Sequence, residues 1–72
     1  MSEGERLYWD SIFEIVLALK SKYPETNLEE VSLDDIFNWT IALPDFADDI
    51  ELANHDILMS IYQEWYEESN PL

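Results

Sequence analysis

Apolar residues recur with helical spacing in three segments of the chain, and polar connections separate these segments. The aliphatic positions that mark the first segment are Ile12, Ile15, Val16 and Leu19. Their spacing predicts a helix over residues 11–22. Ser11 and Glu14 stand three residues apart at its start, which indicates a capping box, although Asp10 is an alternative cap. Pro24 ends the helix, because proline disfavours helical geometry in the residue before it.

The second and third segments have broader apolar faces. Residues 35–43 are apolar on more than one side, which predicts a largely covered helix that either Ser32 or Asp34 caps. Residues 55–67 follow the candidate cap Asn54 and repeat an apolar position every fourth residue, which predicts a third helix. The positions of this stripe are Ile57, Ile61 and Trp65.

The remaining residues contain weak structural signals. Residues 28–31 are compatible with a single helical turn, and only residues 30–33 favour an extended conformation. We therefore predict a mainly α, three-helix domain that is winged-helix-like and has at most one short strand pair. This domain covers residues 7–68, between a flexible N-terminal segment (residues 1–6) and a C-terminal tail (residues 69–72).

The charge of the chain is strongly negative. Seventeen Asp and Glu residues face three Lys and Arg residues, for a formal net charge of −14, while 47% of the residues are hydrophobic and suffice for one folded domain. Nucleic acids and anionic membranes repel such a chain, so we expect cations or basic protein surfaces as partners. The N-terminus lacks signal-peptide features and no apolar run spans a membrane, so we expect a cytoplasmic protein.

Few residues carry catalytic chemistry. The chain has no Cys, which excludes disulfides, thiolate metal sites and Cys nucleophiles. Gly4 is its only glycine, which excludes a phosphate-cradling loop. The single histidine, His55, has no serine-nucleophile motif beside it, and we expect it to be exposed. We therefore predict that the chain is not an enzyme.

Residues 43–51, called the acidic loop below, hold most of the candidate chemistry. The carboxylates of the loop are Asp45, Asp48, Asp49 and Glu51. An EF-hand starting at Asp45 fails, because Ala47 and Ile50 stand at its third and sixth positions. Oxygen ligands without His or Cys still suit hard cations such as Mg²⁺, Ca²⁺, Mn²⁺ or ferric iron. The further carboxylates that the fold can bring near are Glu29, Glu30, Asp34 and Asp35.

Several short motifs follow one another in a specific order. Outside the acidic loop they are Leu7-x-Trp9, Ala18-Leu19, Tyr23-Pro24, Val31, Asp35, Trp39, Asn54-x-x-Ile57-Leu58 and Trp65. Within the loop the motif is Leu43-x-Asp45-Phe46-x-Asp48-Asp49. In this order and spacing, from Leu7 to about Glu68, the chain resembles the IscX family, small acidic accessory proteins of bacterial iron–sulfur cluster assembly.

The resemblance implies a helical, winged-helix-like fold and a monomer that docks on the cysteine desulfurase through an acidic face. It also implies that the protein regulates that enzyme or donates weakly bound iron to it, in competition with frataxin-like proteins. Carried over onto this chain, the iron ligands are Asp35, Asp45, Asp48 and Asp49. For the desulfurase contact we predict the same residues, Asp35, Asp45, Asp48 and Asp49, with Glu29, Glu30 and Glu51 at its rim.

Two other interpretations of the acidic loop remain open. The first is a solvated linker in which only Phe46 contributes, by packing into the core. The second is an acidic protein-interaction domain, such as a nucleic-acid mimic or an inhibitor, that has no iron role.

Overall fold

The computed structural model describes residues 6–69, which form three α-helices and two short 3₁₀ turns. The helices are α1 (Ile12–Lys22), α2 (Leu33–Ile41) and α3 (His55–Ser69), and the 3₁₀ turns are Leu28–Glu30 and Ile50–Leu52. The mainly helical, three-helix prediction is confirmed. No helix within residues 6–69 is long and apolar enough to cross a membrane. Of the predicted flexible ends, residues 1–5 and 70–72 lie outside the described part of the chain.

The hydrophobic core forms where α3 packs against both α1 and α2. Its aliphatic side chains with no solvent exposure are Ile15, Val16, Leu19, Ile36 and Ile61. Burying one such side chain contributes about 1.5–3 kcal/mol to folding. Trp9 and Trp65 are buried, whereas Trp39 is half-buried and stacks on Tyr23 with ring centroids 4.7 Å apart.

Helix α2 begins and ends two residues earlier than the predicted range of 35–43, so both predicted boundaries are wrong. Its start is set by a capping box: the Ser32 hydroxyl accepts a hydrogen bond from the Asp35 N–H (3.1 Å), and the Asp35 carboxylate accepts one from the Ser32 N–H (3.2 Å). Its end is set by a tighter turn, in which the Leu43 N–H bonds to the Thr40 carbonyl (3.1 Å).

The caps of the other two helices differ. Helix α1 follows Ser11 as predicted, but the Ser11 side chain makes no capping hydrogen bond, so the predicted capping box is wrong. Before α3, the Asn54 side chain accepts a hydrogen bond from the Ile57 N–H at 2.9 Å, which confirms the predicted cap. His55 follows with a 74% exposed side chain, also as predicted.

No strand forms within residues 6–69, so neither the short strand pair that the sequence allowed nor the winged-helix label is confirmed. Residues 30–33 instead complete a 3₁₀ turn and then cap α2. The β-type pairing that the described residues do contain is one isolated parallel bridge between Leu7 and Phe46. This bridge joins the residues just before α1 to the acidic loop.

Candidate functional site

Backbone hydrogen bonds attach the acidic loop to Leu7, which lies shortly before α1. The Leu7 N–H donates to the Asp45 carbonyl and the Ala47 N–H donates to the Leu7 carbonyl, both at 2.9 Å. Leu43, at the start of the loop, is buried, and its carbonyl accepts a hydrogen bond from the Phe46 N–H at 3.0 Å. The loop therefore has a defined backbone conformation and differs from a solvated linker.

Trp9 holds the second half of the loop. Its indole Nε1–H donates to the Asp49 carbonyl at 2.8 Å, and its ring is only 2% exposed. The ring contacts Phe46 edge-on, with centroids 4.8 Å apart, and stacks on Phe37 at 6.1 Å. Phe46 is half-buried against the core, so the prediction that it packs inward is confirmed. Aromatic contacts and a buried indole hydrogen bond thus keep the loop in place.

Two of the predicted site carboxylates have structural roles. One oxygen of Asp48 accepts a hydrogen bond from the Trp9 N–H (2.9 Å) and the other accepts one from the Asp49 N–H (2.7 Å). The Asp49 carboxylate accepts a hydrogen bond from the Glu51 N–H (2.9 Å) and so caps the 3₁₀ turn Ile50–Leu52. Hydrogen bonds to a charged carboxylate are stronger than neutral ones. Asp48 and Asp49 therefore hold the loop in shape as well as giving it charge.

The other predicted site residues occupy separate elements. Asp35 is engaged in the capping box of α2, while Glu29 and Glu30 are exposed on the first 3₁₀ turn. Asp45 and Glu51 are the exposed loop carboxylates without a hydrogen bond to their side chains within residues 6–69. Across these described residues, no three His, Asp or Glu side chains converge as they would in a metal site. The predicted iron ligands therefore do not form a preformed metal centre.

A groove lies between α2, the second 3₁₀ turn and α3, and we call it the acidic groove. Its volume is about 490 Å³. The apolar residues that line it include Leu33, Phe37, Ile50 and Leu58. Its charged side chains come from Asp34 and Glu51, and His55 also lines it. The fold thus brings Asp34 close to the acidic loop, as the sequence suggested, whereas Asp35 faces its own helix cap.

Little positive charge offsets these carboxylates. Within residues 6–69 the ion pairs are Lys20–Glu68 at 3.8 Å and, when the histidine is protonated, His55–Asp56 at 3.9 Å. Lys22 and Asp45 line a second, smaller groove together with Leu7 and Leu43, but the two charges are not within 4 Å of each other. The carboxylates of the acidic loop therefore have no ion-pair partner within the described residues.

Two features of the site lay beyond sequence reasoning. The hydrogen bonds of Trp9 join residues 39 and 40 positions apart, and no local pattern signals such a pairing. Ile50 and Leu52 read as loop residues with no assigned role, yet they are large apolar side chains exposed by 49% and 57%. Their only sequence signal was an alternation of apolar and acidic residues at positions 50–52.

Comparison with known proteins places these features in a family. A family model described as "Iron-sulphur cluster assembly" matches residues 7–70, which is most of the chain. An uncharacterized protein of Pseudomonas aeruginosa is 32% identical over 62 residues, covering 86% of this chain and 94% of the relative. The matched region includes the Trp9 segment, the acidic loop and all three helices. The chain belongs to the IscX family of iron–sulfur cluster assembly proteins.

Proposed function

We propose that this protein is a non-catalytic, cytoplasmic accessory protein of iron–sulfur cluster assembly that docks on a cysteine desulfurase through its acidic loop. The observation that carries the proposal is a set of carboxylates that have no cationic partner within residues 6–69 and lie on a loop fixed by Trp9. Fixed, unpaired charges of one sign favour fast and specific docking on a surface of opposite sign. Membership of the family connects the chain to iron–sulfur cluster assembly.

The predicted contact residues divide into two groups. Asp45 and Glu51 are exposed and would face the partner directly, with Glu29, Glu30 and Asp35 at the edge of the contact. Asp48 and Asp49 add negative charge while they hold the loop for the others. Docking should therefore depend on salt, because salt screens exposed charges that lie more than about 8 Å apart at physiological ionic strength.

The proposal is tested by calorimetric titration against the cysteine desulfurase from the same organism, at low and at physiological salt. Glu51→Lys reverses an exposed charge on the loop, and we expect it to weaken binding about tenfold, equivalent to about 1.4 kcal/mol. Glu67→Lys is the matched control, because it makes the same charge change at an exposed position on α3.

The outcomes separate a local contact from a general charge effect. A large loss of affinity for Glu51→Lys, with a small loss of affinity for Glu67→Lys, supports docking through the acidic loop. Equal losses would mean that only the net charge matters. No binding of the unaltered protein at either salt concentration would overturn the choice of partner.

Iron enters this proposal as a weakly held cargo, which the protein would pass on or use to regulate the enzyme in competition with frataxin-like proteins. Its support is that Asp45 and Glu51 present free carboxylate oxygens, the ligand type that hard cations prefer. Since no three carboxylates converge within residues 6–69, we expect weak, rapidly exchanging binding. Anaerobic addition of ferrous iron, which is paramagnetic, should broaden the NMR signals of the acidic loop. An equal amount of magnesium should have little effect on this broadening, and its loss on adding magnesium would argue against an iron role.

A further inference from the structure

The acidic groove combines an apolar lining with a negative edge. Leu33, Phe37 and Leu58 line it from α2 and α3, and Asp34 and Glu51 add carboxylates. Its volume of about 490 Å³ is in the range of sites that accept bound groups, about 300–1,000 Å³. The groove is therefore large enough to admit a side chain of a partner.

The apolar residues of the second 3₁₀ turn, beside the groove, lie outside the hydrophobic core. Ile50 lines the groove and is 49% exposed, Leu52 is 57% exposed, and neither is among the buried or half-buried residues of the core. Both belong to the 3₁₀ turn that Asp49 caps, and the Trp9 indole bonds to the carbonyl of Asp49. The turn thus presents aliphatic side chains to solvent in a fixed conformation, and a fixed conformation lowers the ordering cost of binding.

We infer that the acidic groove binds a basic segment of a partner protein that inserts one large apolar side chain beside Ile50 and places Lys or Arg near Asp34 and Glu51. Charge complementarity selects this occupant, since neither Lys nor Arg lines the groove. It also disfavours a second copy of this chain, which would bring another net charge of −14 to the same surface.

This inference deepens the proposed function, because it locates an apolar anchor next to the electrostatic contact. The inference can also be tested without knowing the partner, because a peptide alone can probe the groove. Failure to bind the desulfurase would therefore leave the groove intact as a binding site. If the groove does not bind the peptide, the proposal of purely electrostatic docking through the acidic loop is unaffected.

The test uses a short lysine-rich peptide with one central leucine, titrated by NMR and calorimetry at low salt. We expect shifts of the backbone signals of groove residues such as Phe37 and Leu58. Replacing the central leucine of the peptide by alanine should weaken binding about tenfold, and replacing its lysines by glutamate should abolish it.

Two variants of the protein complete the test. Ile50→Ser removes an apolar side chain from the groove and should weaken peptide binding at least about threefold. Leu17→Ser is the control, because Leu17 is 44% exposed on α1 and does not line the groove. Thermal unfolding checks that both variants remain folded.

Three results would overturn the inference. The first is equal affinity for the leucine and alanine peptides. The second is an equal loss of peptide affinity in Ile50→Ser and Leu17→Ser. The third is a set of NMR shifts confined to residues outside the groove. Concentration-dependent dimerisation that Ile50→Ser abolishes would assign the groove to a second copy of the chain instead.

Discussion

Asp48 combines two roles that are usually carried by different residues. Its charge contributes to the negative surface, yet both of its oxygens accept backbone hydrogen bonds, one of them from the nearly buried Trp9. Charge reversal at Asp48 would therefore alter the shape of the loop together with its charge. Asp45 and Glu51, whose side chains are exposed, are better positions for separating binding from folding.

The structural role of Asp48 leads to a stability prediction. Asp48→Ala leaves the Trp9 N–H without its acceptor, and we expect a loss of about 1.5–3 kcal/mol in the free energy of unfolding. Asp45→Ala is the matched control and should cost less than about 0.5 kcal/mol, because that side chain is exposed. Urea unfolding followed by tryptophan fluorescence measures both, and equal stabilities of the two variants would contradict the role assigned to Asp48.

The helices show how far local patterns determine the fold. The spacing of apolar residues located all three helices, because each must bury one face. The ends of α2 were misplaced, since they depend on which of two candidate caps bonds and on a tightened last turn. Similarly, Asp34 and Asp35 are neighbours in sequence, but a helix turns about 100° per residue, so their side chains point in different directions. Asp34 lines the acidic groove, whereas Asp35 caps the start of α2.

The candidate site was predictable only in part, for a related reason. The sequence identified the acidic loop, because its four carboxylates fall within residues 45–51 and no Lys or Arg lies among them. It did not reveal which carboxylates are engaged in backbone hydrogen bonds, because the Asp48 contact requires Trp9, which is distant in sequence. The exposure of Ile50 also depends on how α2 and α3 pack beside the turn, which is a tertiary property.

At the level of the element, two serines that precede helices differ in a testable way. Ser32→Ala removes a cap from α2 and should lower the free energy of unfolding by about 1 kcal/mol. Ser11→Ala should have little effect, because Ser11 makes no side-chain cap bond to α1. Urea unfolding of the two variants measures the difference, and a larger loss for Ser11→Ala would reverse this assignment.

The whole molecule carries a net charge of −14 on a small domain, and this affects its folding and its binding in opposite directions. Repulsion among like charges destabilises the compact state, while the same charges attract a basic partner. Within residues 6–69 one lysine is paired, at Lys20–Glu68, and that pair is exposed enough to contribute little. The stability of the domain therefore rests on the buried contacts among its helices rather than on ion pairs.

Salt should consequently stabilise the free protein and weaken its complex. Raising sodium chloride from about 0.01 M to about 0.15 M shortens the screening length from about 30 Å to about 8 Å, which reduces both repulsion and attraction. We expect the melting temperature of the free domain to rise over this range while its affinity for the desulfurase falls. Potassium chloride at the same concentrations should act equally if screening is the cause, whereas a difference between the two salts would indicate specific ion binding. If affinity rose with salt together with stability, charge attraction to the partner could not be the dominant contribution to docking. Docking through the acidic loop would then need an apolar explanation, such as the one that the acidic groove offers. A fall in both would instead show that charge repulsion is not what limits the stability of the free domain.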